Sequence, residues 1–278
     1  MIHIIELTEL FPKIMSEKKI DKNIPTKWKT TDLRFVAFLD LLGFKDKVMR
    51  KTHQEIYEEL SKISKLKELV EKKSTLKSKK KYWDADVYVV SFSDSIVIFS
   101  KNDSYENFEY FLIALRAVFS NSIRHKIALK GGFAHGEISL NKTEQIYFGQ
   151  PIIDAYLIEE DVNYLGVVGH SSIDNYLKNN KNQYDNSQIT QKLIFEDKTN
   201  LKCGRILHLN LDWFILSQRE HDKLNSKGKI ENIITDIDSF YCTVSGSPRR
   251  YIDNTKEMLL NAHKNNKINL ERLNIKEI

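Results

Sequence analysis

Two aspartates stand where a carboxylate could do chemistry. Asp40 lies near the end of RFVAFLDLL, residues 34–42, an apolar run broken by one acid whose length suits a buried strand. Asp94 lies in VYVVSFSDSIVIFS, residues 87–100, where two β-branched runs flank Ser93-Asp94-Ser95 and predict a hairpin. Singly, a strand-end aspartate usually closes a turn or caps a helix. On neighbouring strands the two could share divalent ions. Mg²⁺ takes oxygen ligands, only a few of them protein carboxylates, and completes its shell with substrate phosphate oxygens. That is the donor set of two-metal phosphoryl transfer. Leu42-Gly43-Phe44 follows Asp40 directly. A strand that ends in Gly and opens a helix leaves N–H groups free to cradle phosphate.

The elements that must position these residues can be read from hydrophobic spacing. After Gly43 the pattern predicts a long helical stretch, with Ile56, Leu60, Ile63, Leu66 and Val70 as its buried stripe. A Lys-rich loop (STLKSKKK) and the hairpin follow. Residues 106–124 carry Phe108, Phe111, Leu112, Leu115 and Phe119 at helical spacing. Residues 127–140 (IALKGGFAHGEISL) predict a strand in which Gly131 and Gly132 mark a close approach or a bulge. Gly149 to Asp161 predicts a helix with Pro151 near its start, and Leu165 to Val168 a short strand. This order is ferredoxin-like, with an antiparallel hairpin at its centre, and the fold class is α+β. The last third holds a predicted strand over 205–216 and helices near 229–241 and 253–265. The expected organisation is an N-terminal extension over 1–33, with at most one short helix, a core over 34–170, and a C-terminal segment over 171–278 packed on that core.

Composition narrows the classes. The chain has 278 residues, 41% hydrophobic and 29% charged, which permits a packed core and excludes wholesale disorder. No apolar run approaches the ~18–20 residues of a membrane span. Cys203 and Cys242 are too few and too isolated for a disulfide framework or a zinc site, so a reducing cytoplasm is the expected address. The net charge of +5 is local: residues 61–82 hold nine Lys against Glu68 and Glu71, which leaves the remainder slightly acidic. A nucleic-acid-binding fold should carry its basic face on the fold itself, so this segment reads as a solvated helix and loop, with a nucleic-acid contact as the alternative.

Four pieces, in order, resemble the class III nucleotide cyclases: FLDLLGF (38–44), FSDSIVIF (92–99), GGFAHGEI (131–138) and YFGQPIIDAYLIEE (147–160). The resemblance spans about residues 34–170. It implies a cyclase catalytic core with a mixed, largely antiparallel sheet, a nucleoside triphosphate substrate, and two Mg²⁺ or Mn²⁺ ions held by Asp40, the Leu41 backbone carbonyl and Asp94. It also implies phosphate contacts from Leu42, Gly43 and Phe44, and a homodimer with shared active sites. Departures from the family pattern are specific. The positions of the transition-state Asn and Arg fall on Ile153 and Leu157. The purine-reading Lys falls on Val90, and its polar partner on Ile146.

Such features resemble a divergent branch, the Pycsar pyrimidine cyclases of bacterial anti-phage defence. This implies synthesis of cyclic UMP or cyclic CMP and a separate effector reached through that messenger, with neither membrane nor nucleic acid as a direct partner. The alternative is a catalytically inactive, nucleotide-binding module of the same fold. Lesser candidates are Arg249 and Arg250 for triphosphate charge, Tyr88 and Val90 for the base, and His135 as a general base or, more plainly, a satisfied sheet histidine. Lys130 and Glu137 face either solvent or nucleotide, and Asp253 or Asn254 caps the last helix.

Overall fold

The computed structural model describes residues 26–71, 80–214, 229–244 and 246–272. Its elements run β1 Thr31–Leu41, α1 Phe44–Arg50, α2 His53–Glu71, β2 Val87–Phe92, β3 Ser95–Ser100, α3 Tyr105–Arg124, β4 Leu129–Asn141 and β5 Ile146–Phe148. They continue α4 Gln150–Asp161, β6 Val167–Gly169, α5 Ser171–Asn179, α6 Lys181–Asn186, α7 Gln188–Leu193, β7 Ile194–Leu201, β8 Gly204–Leu211, α8 Lys229–Asp238 and α9 Arg249–Arg272. One mixed sheet runs β2-β3-β1-β4-β6-β8-β7, with β5 paired to β4. All its pairings are antiparallel except β4 with β6. The first four strands keep the ferredoxin-like arrangement. The C-terminal strands β7 and β8 prolong the same sheet.

Strand alternation gives β1 two different faces. Phe35, Ala37, Leu39 and Leu41 enter the larger core with Phe108, Phe111, Leu112, Leu115 and Phe119 of α3 and with Ile63 and Val70 of α2. Val36 and Phe38 enter a smaller cluster on the opposite face, with Phe99, Ala134 and Ala155. Asp40 follows Phe38 by two residues and shares that second face. There α4 lies across β4 and β1. Its close seating depends on Gly132, where an added Cβ would sit 2.3 Å from the Ala155 carbonyl oxygen and 2.4 Å from Ile158 Cγ2.

The segment entering β1 is strapped to the second face. Arg34 is fully buried; it donates to the carbonyls of Ser100 (3.2 Å), Lys101 and Lys29, and stacks 5.1 Å over the Trp28 ring. Thr26 bonds Asp84 through its N–H (2.6 Å) and hydroxyl (2.8 Å), and Trp28 Nε1 donates to Asp86 (3.2 Å).

Several expectations change. The stretch after Gly43 is two helices, because the chain turns extended at Lys51 before α2 begins. The last helix begins at Arg249, so Asp253 and Asn254 lie inside it and cap nothing. Asp253 accepts from the Tyr241 hydroxyl, and Asn254 donates to the Asn163 carbonyl (2.6 Å). Most of the Lys-rich loop and the expected N-terminal helix lie outside the described residues. Among the described residues no helix is long and apolar enough to cross a membrane.

Candidate active site

The β1 register sets the site. Asp40 pairs with Ser95 of β3 on one side and with Lys130 of β4 on the other. Asp94 precedes Ser95 in the β2–β3 turn, and its carbonyl accepts the Leu41 N–H at 3.0 Å. The turn is made by Ser93 at φ 55°, a left-handed conformation that few non-glycine residues adopt and that functional turns often retain. The structure thus brings Asp40 and Asp94 to adjacent strand ends. Burial raises the Asp40 pKa, the neighbouring Asp94 charge raises it further, and Lys130 opposes both.

Lys130 is nearly buried, and its partners are all on α4. Its Nζ lies 2.8 Å from Glu159 Oε1, 2.8 Å from the Glu159 carbonyl oxygen and 3.3 Å from that of Glu160. It therefore neutralises a buried carboxylate and the carbonyl end of the helix together. The Glu159 pKa is raised by burial, against the lowering effect of Lys130, and the Asp40 and Glu160 charges add to the rise. The expectation left Lys130 open to solvent or nucleotide; its ammonium is instead clamped between the carboxylate strand and α4.

The second face of the sheet leads away from these acids in cross-strand rows. Phe92, Ser95, Asp40 and Lys130 form the first; Val90, Val97, Phe38 and Gly132 the second; Tyr88, Phe99, Val36 and Ala134 the third. Val90 is half-buried in the floor. Tyr88 is held in an aromatic group. Its hydroxyl is 3.0 Å from that of Tyr147, its ring is edge-on to Trp28 at 6.4 Å, and Lys142 Nζ sits 4.5 Å from its centroid and 3.6 Å from that of Trp28. Burial and the Tyr147 contact push the Tyr88 pKa up to about 12. Ile153, Tyr156 and Leu157 on α4 are exposed, as are Ile146 and Phe148 of β5 and Phe92 at the hairpin tip.

Other candidates fall as follows. Gly43 has φ 72° and is the N-cap residue of α1, a role its missing Cβ suits. The Leu42 N–H donates to the Ala128 carbonyl (3.0 Å), so that amide is spent and only the first-turn amides from Gly43 onward face outward. His135 pairs with Phe35 on the opposite face, packed between Phe35 and Tyr176 at 4.9 Å from each, with Nε2 3.3 Å from Asp103. Burial lowers its pKa against the Asp103 effect. It is a satisfied sheet histidine, on the wrong face to act at Asp40. Glu137 is exposed and lines a cavity of about 420 Å³ with His135, Gln150 and Asp154, beyond the other end of α4. Arg249 and Arg250 open α9 and are exposed. Arg249 Nε donates to the Val244 carbonyl (3.3 Å), and its guanidinium lies 5.5 Å from the Tyr241 ring. The next residue, Tyr251, is half-buried and feels the Asp40 and Glu159 charges, which place the start of α9 near the carboxylate end of the sheet.

Sequence reasoning missed the Lys130–Glu159 clamp and the two tyrosines, Tyr156 and Tyr251, that feel the Asp40 charge. The only available signal was the alternation of Lys130 with Gly132, which sets its face once β4 is paired with β1. Among the described residues no group of three or more His, Cys, Asp or Glu side chains could hold a metal. The Asp40–Asp94 pair still fits a hard divalent cation. It supplies two carboxylates whose repulsion a cation would relieve, and Mg²⁺ or Mn²⁺ would take its remaining oxygens from backbone, water and phosphate.

No protein-family model matches the chain, and no curated protein does. Solved structures similar to it include the catalytic core of a rhodopsin–guanylyl cyclase with converted specificity in complex with ATPαS, at 13% identity over 65% of this chain and 94% of that one, TM-score 0.46. Another is the monomeric guanylyl cyclase domain of the RhoGC fusion protein from the aquatic fungus Blastocladiella emersonii, at 12% identity, 67% and 98% coverage and TM-score 0.45. A third is the adenylyl cyclase CyaB from P. aeruginosa, at 11% identity, 65% and 94% coverage and TM-score 0.42.

Proposed function

We propose that the protein is a nucleotide cyclase that converts UTP or CTP to the 3′,5′-cyclic nucleotide and pyrophosphate. The observation that carries this reading is the β1–β3 register, which sets the Asp94 turn against the strand end bearing Asp40. The four cyclase-like motifs support it. In the proposed reaction the ribose 3′-oxygen forms a bond to the α-phosphorus and the bond from that phosphorus to the bridging oxygen breaks. Pyrophosphate leaves with the electron pair, and the hydroxyl proton passes to water. Asp40 and Asp94, with the Leu41 carbonyl, would hold two Mg²⁺ or Mn²⁺ ions, which lower the hydroxyl pKa and neutralise charge on the phosphates when bound.

The chain's own groups then have distinct tasks. Asp40 must be deprotonated to bind a cation, and Lys130 favours that form. The Gly43 and Phe44 amides contact the β- and γ-phosphates, with Arg249 and Arg250 as additional cations from α9. Val90, Val97 and Phe38 keep the floor of the cleft dry. Tyr88 and Val90 line its far end, where the base would rest. A hydrophobic Val90 and an exposed Ile146 offer no polar contact of the kind that reads a purine, which favours a pyrimidine. Ile153, Leu157 and Phe148 are apolar and exposed on the flank of the same face, and we assign them to contact with a second copy of the chain. The product would act as a messenger for a separate effector in anti-phage defence.

A competition assay tests the substrate class. Equimolar UTP, CTP, ATP and GTP are incubated with the protein and Mn²⁺, and the cyclic products are resolved by mass. Turnover of purines at or above the pyrimidine rate would remove the pyrimidine assignment and leave the cyclase assignment intact. A second reading, a nucleotide-binding module without turnover, is favoured by apolar Ile153 and Leu157, which cannot stabilise charge in a transition state.

A further inference from the structure

On the solvent side of α4, next to the Asp40 end of the sheet, the exposed residues are Ile153, Tyr156, Leu157 and Glu160. Ile153 and Leu157 carry no polar atom. Glu160 has the wrong sign for a triphosphate. Tyr156 is therefore the one neutral hydrogen-bonding side chain in that set.

Its ring is fixed by packing. It meets Phe38 edge-on, with centroids 5.3 Å apart and an interplanar angle of 81°. Phe38 stands two residues before Asp40 on the same face of β1. The close seating of α4 on Gly132 brings the neighbouring Ala155 backbone down to the sheet and so sets Tyr156 beside Phe38. The Glu160 carboxylate, one helical turn on, and the Asp40 charge both act on the hydroxyl. Both effects raise the phenol pKa, so the group stays protonated at neutral pH. A protonated phenol can donate one hydrogen bond and still accept others, and this one is exposed beside the Asp40 end of the sheet.

We propose that Tyr156 contacts the substrate, its phenol oxygen accepting a hydrogen bond from a ribose hydroxyl and orienting the sugar beside the Asp40–Asp94 pair. The inference rests on the cyclase reading. It gives a role to a residue that lies inside the YFGQPIIDAYLIEE piece but had none assigned, and hands to a phenol the orienting task that Ile153 and Leu157 cannot perform.

The test compares wild type with Tyr156→Phe, which keeps the ring against Phe38 and removes only the hydroxyl. Turnover of UTP and CTP with Mn²⁺ is measured, together with equilibrium dialysis of labelled UTP and CTP in Ca²⁺. Tyr156→Phe should lower kcat/KM by about tenfold or more, as loss of one well-placed hydrogen bond does. Wild-type kinetics in Tyr156→Phe would overturn the proposal and leave the cyclase reading standing. If wild type binds UTP or CTP without turning it over, the cyclase reading fails and the dialysis decides: weaker binding by Tyr156→Phe supports the contact, and unchanged binding overturns it. Absence of both turnover and binding in wild type overturns both.

Discussion

Replacing Lys130 by Met is expected to destabilise the protein in a strongly pH-dependent way. The side chains of Lys130 and Glu159 are only 7% and 4% exposed, and the substitution keeps the aliphatic stem while deleting the charge. Breaking a buried pair from one side typically costs about 3–5 kcal/mol, because the other charge is left without a partner. Glu159 has an escape, which is to bind a proton. From an ordinary value near 4.5, holding that carboxyl protonated at pH 7 costs about 3.4 kcal/mol, and at pH 5 about 1 kcal/mol. Protonation therefore caps the penalty.

The sign follows from proton counts. In the variant the folded state binds the Glu159 proton more tightly than the unfolded chain, so stability falls as pH rises through the acid range towards neutrality. Urea unfolding followed by fluorescence of buried Trp213 at pH 5, 6 and 7 should show the gap from wild type widening to about 3 kcal/mol. Lys130→Met combined with Glu159→Leu should recover most of the loss and its pH dependence. A gap below about 1 kcal/mol that is the same at all three pH values would refute the reasoning.

Other expectations follow from the same geometry. Gly132→Ala should lift α4 off the sheet, since its Cβ would meet the Ala155 carbonyl at 2.3 Å. A stability loss of about 1–3 kcal/mol in urea unfolding, with reduced turnover, is the expected outcome. Asp40 has a raised pKa, so without divalent ions its ionisation removes stability as pH rises above the ordinary aspartate range. Asp40→Asn should flatten that part of the stability–pH curve, and Mn²⁺ should stabilise wild type but not the variant. Ile153→Arg with Leu157→Arg should convert a dimer in solution to a monomer, read by light scattering; a wild-type monomer that still cyclises nucleotide would contradict the shared-site proposal.

How much of this was legible in the sequence depended on whether the deciding contact was local. The β2–β3 hairpin and α3 were readable because β-branched runs and helical spacing declare themselves within about ten to twenty residues. In β1 the apolar run marked the strand and the acid at its end, whereas the face that Asp40 shares with Phe38 came only from the structure. The short and edge elements were not readable. β5 has three residues, too few for a periodic signal, and β7 (IFEDKTNL) is an edge strand whose exposed positions are charged. The start of α9 was misread because Asp253 and Asn254 resemble caps, whereas the Gly246-Ser247-Pro248 turn opens the helix earlier. At the site, the Asp40–Asp94 meeting is not local either, and it was legible only because the ferredoxin-like order sets the first strand beside the central hairpin. The Lys130–Glu159 clamp joins residues 29 apart through the seating of α4 on a glycine, and nothing in local spacing announces that.

The most direct measurement of the central claim is product analysis of wild-type protein and of the Asp40→Ala and Asp94→Ala variants, each incubated with UTP or CTP and Mn²⁺. Mass spectrometry would identify the nucleotide product, and a pyrophosphate assay would establish its stoichiometry. The account predicts a cyclic pyrimidine monophosphate and one pyrophosphate per turnover from wild type, and none from either variant, because each leaves the carboxylate pair incomplete. Undiminished product from either variant, or no cyclic nucleotide from wild type with any nucleoside triphosphate and any divalent ion, would contradict it.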